Sequence, residues 1–306
     1  MFKKILVPLN GSLHAERALD LVKNLLPTND FELVLLEATG NPNLVYSVYG
    51  YGTTAYVHVR PECLIKDGEY IKSAAEKAEK WAPNVEGFVK FDTAERAIVD
   101  VALHEDVDLI IMATHGYSGL DRLLFSSVTE KVIRDAPCPV LAVRDGHIPE
   151  HMLIALDGTR FSETILEPAF ELAELINADI TLACVHSDTN KLREADVAEI
   201  KKFDRGLADK VLYNTIDDTD LYLKSLHRIY SERASEINVN LDFDIDLGRP
   251  GDRLPRIAER NNCDLIAMAT HGRKGLDYLW NRSVTEKVMH RTDTAMLILH
   301  PEPVPA

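Results

Sequence analysis

The stretch Asp108-Leu-Ile-Ile-Met-Ala-Thr-His-Gly116 returns with a single change as Asp264-Leu-Ile-Ala-Met-Ala-Thr-His-Gly272. Each copy is followed by Gly-Leu-Asp (119–121 and 275–277) and then by Ser-Val-Thr-Glu-Lys-Val (127–132 and 283–288). His115 and His271 stand 156 residues apart, as do Ser127 and Ser283, so the match carries no internal gap. A repeat of this length means that one unit of about 150 residues occurs twice, and that is a common domain size. Each unit is long enough to bury a core without disulfide or metal staples. Domains are expected at 1–146 and 150–301, joined by Asp145-Gly-His-Ile-Pro-Glu-His151, a linker short enough to hold them against each other.

Bulk properties remove several function classes. The net charge of −15 is shared by both halves, so neither is a basic module, and nucleic acid is not an expected partner. The four cysteines are scattered, with no Cys-x-x-Cys pair, which indicates neither a disulfide framework nor a zinc site and points to a cytoplasmic protein. The opening Met-Phe-Lys-Lys-Ile-Leu-Val-Pro is too short in its apolar run for a signal peptide and reads as a first strand. No apolar run approaches the ~18 residues of a membrane span, so no membrane partner is expected.

Along the first copy, strands are expected at 5–9, 31–38, 85–91, 108–114 and 140–143, alternating with helices from Ser12, at 66–82, 94–104 and 128–134. Residues 40–62 read as a Gly-, Tyr- and Pro-containing loop. The second copy repeats the order, with strands at 152–156, 180–185, 241–247, 264–269 and 295–299, and a first helix reaching Ile176. It also carries a polar stretch, 187–236, that reads as helical and charged. Alternation of strands and helices implies an α/β fold with a doubly wound parallel sheet and helices on both faces in each domain. Wholly apolar strands such as Leu109–Met112 agree, because both of their faces would be covered.

The chemistry gathers where the fourth strand of each copy turns into its next helix. There Ala113-Thr-His-Gly116 is followed by nine residues and then Ser126-Ser-Val-Thr-Glu130. Ser127 with Glu130 forms a Ser-x-x-Glu capping box, and Ser283 with Glu286 repeats it. A helix N-terminus offers free N–H groups and the positive end of the helix dipole, which suits a phosphate. Gly116 lets the backbone approach a ligand closely. The same features also fit plain helix initiation and turn formation. In a doubly wound sheet the ligand crevice lies outside the carboxyl ends of the strands, where the strand order reverses.

These segments together resemble the universal stress protein family. The marks are Ile5-Leu-Val-Pro-Leu-Asn-Gly-Ser12, the Asp-Leu-Ile-Ile-Met-Ala-Thr-His-Gly strand, Ser-Val-Thr-Glu-Lys-Val, and Ala136-Pro-Cys-Pro-Val-Leu-Ala-Val143, and the resemblance covers both halves. It implies five-stranded parallel sheets of order 3-2-1-4-5. It further implies that ATP, with Mg2+ on its phosphates, binds through Gly-x-x-Gly, nine residues and Gly-Ser/Thr, with an Asp after strand one near the nucleoside. Carried over residue by residue, the first-copy site is Pro8, Asn10, Ala113, His115, Gly116, Ser126, Ser127 and Val128; a second, vestigial site is Asp157, Gly272, Arg282 and Ser283.

Neither copy matches that motif in full. The first has Ala113 and Ser126 in place of glycines and Asn10 in place of the acid; the second keeps the acid as Asp157 but has Ala269 and Arg282 in the loop. Small residues still let phosphate approach. Arg282 is expected to fill the space, although its guanidinium also suits a phosphate. The first copy therefore holds the better phosphate loop, the second the better nucleoside acid and a Gly248-Arg-Pro-Gly-Asp252 turn like that of the family, and the first is favoured for nucleotide.

Other features read as structural. Tyr46, Tyr49, Tyr51 and Tyr56 suit packing of their loop better than a lid over a ligand. His115 and His271 lack a Ser, Cys or carboxylate partner at fixed spacing, so no catalytic residue is assigned. Pro149 between His147 and His151 argues against a metal pair, and Asp217-Asp-Thr-Asp220 lacks the glycine and closing Glu of a calcium loop. A binding and regulatory stress protein is the leading reading, with at most weak ATPase activity, since no Walker loop follows a strand. The alternative is a protein-interaction or non-nucleotide-ligand module with vestigial sites. Relatives of the family pair edge to edge through their last strands. Val140–Val143 and Ala295–Leu299 are accordingly expected to meet within one chain as a pseudo-dimer, which leaves room for a further homodimer.

Overall fold

The computed structural model describes residues 2–25, 31–39, 44–49, 61–114, 126–144, 147–186, 205–270 and 284–301. They fall into two compact units. The first comprises the described residues up to Ile148 together with Thr270 and 295–301, and the second takes Pro149–Ala269 and 284–294.

The first unit begins with β1 (Lys4–Leu9), α1 (Leu13–Leu25) and β2 (Glu32–Ala38), followed by β3 (Leu44–Tyr49) and α2 (Pro61–Ala78). Then come β4 (Asn84–Phe91), α3 (Ala94–His104), β5 (Leu109–Ala113), α4 (Ser127–Asp135) and β6 (Val140–Val143). Ile5, Leu6 and Val7 are all fully buried, as are Leu109, Ile110 and Ile111, which is the signature of strands covered on both faces. Helix α3 buries Ala97, Ile98, Val101 and Ala102, an apolar stripe at helical spacing.

Parallel strands run in the order β4-β2-β1-β5-β6, which is 3-2-1-4-5 in the family's terms. The sheet is larger than the five parallel strands expected. The segment read as a loop contains β3, antiparallel on β4 with a bulge between Ser47 and Tyr49, so Tyr46 and Tyr49 belong to a strand. Their β-branched and aromatic neighbours form a ladder once β4 offers an edge, and periodicity over six residues cannot show this. Tyr51 and Tyr56 lie outside the described residues. On the other side, β11 (Ala295–Leu299) pairs antiparallel with β6, with Leu297 opposite Leu141. Helix α2 also begins five residues earlier than the expected 66.

The second unit contains β7 (His151–Leu156), α5 (Arg160–Glu163), α6 (Leu166–Ile176), β8 (Asp179–His186) and α7 (Arg205–Glu236). It continues with β9 (Leu241–Leu247), α8 (Pro250–Arg260), β10 (Leu265–Ala269) and α9 (Val284–Met289). Its parallel strands run β9-β8-β7-β10. The fifth strand expected here, Ala295–Leu299, groups with the first unit, because its backbone bonds extend to β6. Residues 205–236 of the polar stretch form one helix, which contains the Asp217–Asp220 cluster; 187–204 lie outside the described residues.

The repeated motif has structural duties. The Asp108 carboxylate accepts the amides of Lys3 and Lys4 at 2.9 Å each, and Asp264 accepts those of Glu150 and His151 at 3.0–3.1 Å. Each aspartate thereby pins the start of the first strand beside the fourth. Thr114 and Thr270 are both buried, and their amides donate to Val143 and Leu299 at 2.7 and 2.8 Å.

Candidate functional site

In both copies the first and fourth strands separate at their carboxyl ends. The β1–β5 ladder covers only Ile5–Leu109 and Leu6–Ile110, whereas β1–β2 continues to Leu9–Glu37. Pro8 sits where the first ladder has ended, so its missing N–H removes no bond to β5. The β7–β10 ladder likewise stops at Ile154–Ala267, two residues before β7 ends. A parting of this kind, where strand order reverses, is the place at which doubly wound sheets put their ligand crevice.

The turn at the first lip is the same in both copies. Asn10 Oδ1 accepts the Ser12 amide at 3.1 Å and the Ser12 hydroxyl at 2.6 Å. Asp157 Oδ1 accepts the Thr159 amide at 2.9 Å and its hydroxyl at 2.6 Å. The intervening Gly11 and Gly158 have φ of 71° and 81°, left-handed values that suit glycine. Ser12 and Thr159 then cap their helices by accepting the amides of Ala15 (3.2 Å) and Ser162 (3.1 Å). The acid that the sequence marked as lost from the first copy is therefore not needed for the turn; a carboxamide oxygen serves as well.

At the opposite lip the expected capping box moves by one residue. Ser126, not Ser127, is the cap of α4: its backbone is extended and its hydroxyl accepts the Thr129 amide at 3.1 Å. Of two adjacent serines the earlier one caps, because Thr129 is fully buried and its hydroxyl bonds back to Ser126 at 2.8 Å. Ser127 and Val128 become the first helical residues, and helix geometry leaves their amides without an intrahelical acceptor. Ala113 ends β5. His115 and Gly116, and in the second copy His271, Gly272, Arg282 and Ser283, lie outside the described residues.

Sequence reasoning missed a pair behind the turn. In the second copy the Tyr222 hydroxyl of α7 donates to Glu163 Oε1 of α5 at 3.0 Å. Burial, with the Glu163 carboxylate beside it, holds that hydroxyl above the usual phenol range. In the first copy burial, with the Glu16 and Glu37 carboxylates close by, pushes the Tyr70 hydroxyl up to about 12, against a smaller lowering by the Gly11 backbone. Glu16 and Glu163 stand at the same offset as Asn10 and Asp157, which was the legible signal; the tyrosines, on helices of different length, gave none.

A separate groove of about 340 Å³ is lined by Asp92, Glu95, Arg96, Val99, Asp100, Leu103 and Asp135. Glu95 pairs with Lys131, Asp100 with Lys90 and Asp135 with Arg134, while Asp92 accepts the Thr93 amide, so the groove reads as a solvated surface. Among the described residues no group of His, Cys, Asp or Glu is arranged to hold a metal ion, and no helix is long and apolar enough to cross a membrane. Cys138, Cys184 and Cys263 are buried, and burial raises all three thiols, to about 12, 11 and 12. That makes them poor nucleophiles.

The comparisons agree with this frame. The Universal stress protein family model matches the chain twice, over residues 1–144 and 149–300. A universal stress protein of Methanocaldococcus jannaschii is 30% identical over 153 residues, which is 47% of this chain and 83% of that one. A Staphylococcus haemolyticus relative described in the same terms is 31% identical over 152 residues, 49% of this chain and 88% of its own. Among solved structures, a universal stress protein from Archaeoglobus fulgidus superposes with a TM-score of 0.69 at 17% identity, covering 97% of this chain and 98% of that one. That similarity establishes the fold along nearly the whole length. With both halves matched and the repeat accounted for residue by residue, the chain belongs to the universal stress protein family as a tandem, two-copy member.

Proposed function

We propose that the chain is a cytoplasmic binding and regulatory protein of the stress response that holds an adenine nucleotide, ATP with Mg2+ on its phosphates, in the crevice of its first copy. One observation carries this reading: β1 and β5 part at their carboxyl ends opposite the capped N-terminus of α4. The amides of Ser127 and Val128 suit phosphate oxygens, assisted by the helix dipole. Pro8 and Asn10 supply the facing lip, and Ala113, His115, Gly116 and Ser126 the connecting loop and cap. Asp157, Gly272, Arg282 and Ser283 make up a vestigial counterpart in the second copy. The β6–β11 register further supports a chain that satisfies within itself the edge pairing that single-domain relatives make between subunits.

Calorimetric titration with ATP and ADP tests the proposal. Binding of no more than one nucleotide per chain is expected, abolished by Gly116→Val and retained by Gly272→Val. No heat of binding at millimolar nucleotide would overturn it and favour an interaction module. Loss on Gly272→Val alone would move the site to the second copy.

A further inference from the structure

The two copies finish the far edge of their parallel strands differently. In the first, β4 is covered by β3. In the second, β9 pairs with β8 and, among the described residues, with no further strand. Its backbone shows which way each residue faces. The Asn240 carbonyl accepts the Ile180 amide at 2.8 Å, and the Gly248 amide donates to the His186 carbonyl at 3.0 Å, so even-numbered residues bond β8. In a parallel ladder the N–H and C=O of one residue point to the same side, and that side alternates along the strand. Leu241, Phe243, Ile245 and Leu247 therefore turn their backbone groups outward.

Side chains hold a group on each of these four residues. The Leu241 carbonyl accepts the Nε2–H of His227 from α7 at 2.9 Å, and the Ile245 carbonyl accepts an Arg260 N–H from the end of α8 at 3.2 Å. The Phe243 amide donates to Asp242 Oδ1 at 2.8 Å and the Leu247 amide to Asp246 Oδ1 at 2.7 Å. Arg260 is fixed in turn by Asp244 at 2.6 and 2.7 Å and by Asp246 at 3.1 Å. Suppose β9 of a second copy lay antiparallel on this edge, across a two-fold axis at Asp244. The Leu247 amide would then meet the other copy's Leu241 carbonyl, and the Phe243 amide its Ile245 carbonyl. Side chains already occupy both ends of those bonds. The same register sets Asp244 against Asp244 and Asp242 against Asp246, in the pairs where side chains stand nearest. We propose that β9 is an edge closed by its own side chains, an autoinhibitory device that keeps the chain from joining a second copy by strand addition. Open edge strands recruit other strands. Backbone groups that already hold a bond gain little from exchanging it for another.

Two double variants of the full chain separate the hydrogen bonds from the charge. Asp242→Ala with Asp246→Ala frees both amides and removes the repulsion, whereas Asp242→Asn with Asp246→Asn removes the charge but keeps an oxygen for each amide. Light scattering over a concentration series reads the mass, and hydrogen exchange by mass spectrometry reads residues 241–247. At low concentration the alanine variant is expected to exchange its Phe243 and Leu247 amides about tenfold faster than wild type. As concentration rises, its mean mass is expected to reach about twice the wild-type value or more, with β9 becoming protected. The asparagine variant is expected to keep the wild-type mass. An alanine variant of wild-type mass, or association that leaves β9 unprotected, overturns the inference. So does an asparagine variant that associates equally, because charge alone would then guard the edge. Should the alanine pair fail to fold, Asp242→Ala alone carries the test: association at higher concentration supports the inference, and wild-type mass throughout overturns it.

Discussion

In the first copy Lys131 of α4 reaches across to Glu95 of α3 at 2.7 Å. In the second copy the corresponding helices bring Lys287 against Gly251, so close that a Cβ on the glycine would stand 2.7 Å from the lysine Cβ. An ion pair in one copy is thus a bare backbone contact in the other, and Asp252 instead pairs with Arg291. Helices α3 and α8 keep the same offset as the repeat itself, 94–104 against 250–260, so the frame is shared while its fastening differs. The crevices teach the same lesson. The Asx turn, the cap and the parted strands are common to both, and side chains are free to diverge wherever the backbone does not depend on them.

The comparison breaks most readily at the helix pair. Gly251→Ala is expected to destabilise the second copy by about 1–3 kcal/mol, because the lysine Cβ is fixed to its helix and cannot swing aside as a side-chain tip would. Denaturant unfolding of the full chain would show it, and an unchanged midpoint would mean that α8 and α9 have room to separate. At the crevice, Ser126→Ala removes the cap of α4 and is expected to cost about 1 kcal/mol, whereas Ser127→Ala costs little. Equal effects would return the cap to Ser127.

The smallest effect is one of pH. The Lys131 hydrogen bond holds the Glu95 carboxyl below its ordinary value of 4.5. A carboxyl depressed on folding adds stability above its unfolded pKa and loses it as pH falls through the folded one. Wild type should therefore exceed Glu95→Gln in stability at pH 7, and the gap should close as pH drops below 4.5. A gap that fails to narrow as the pH falls would show that packing rather than charge joins these helices.

Much of the fold was legible before any coordinates. The helix 94–104 and the strands 140–143, 241–247 and 295–299 stand where periodicity put them, because wholly apolar runs bounded by turn residues admit few other readings. The strand within 40–62 was not legible, since it exists by pairing with β4, thirty-five residues or more away in the chain. At the site, Asn10 and Asp157 were found by their place in the motif, but their equivalence as turn formers was not. The residue type announced a lost charge, and the two bonds to residues two positions on became visible only with the turn formed.

The sequence by itself determined the duplication, the alternation of strands and helices and the family, because these depend on local pattern and on an offset that can be counted. Only the tertiary structure decided which of two serines caps α4, which tyrosine stands behind each turn, and where β1 parts from β5. The physical reason is that caps, buried hydroxyls and ladder ends are settled by partners distant in the chain. A hydrogen bond's worth is fixed by the burial and geometry of both its ends, and a sequence displays them one at a time.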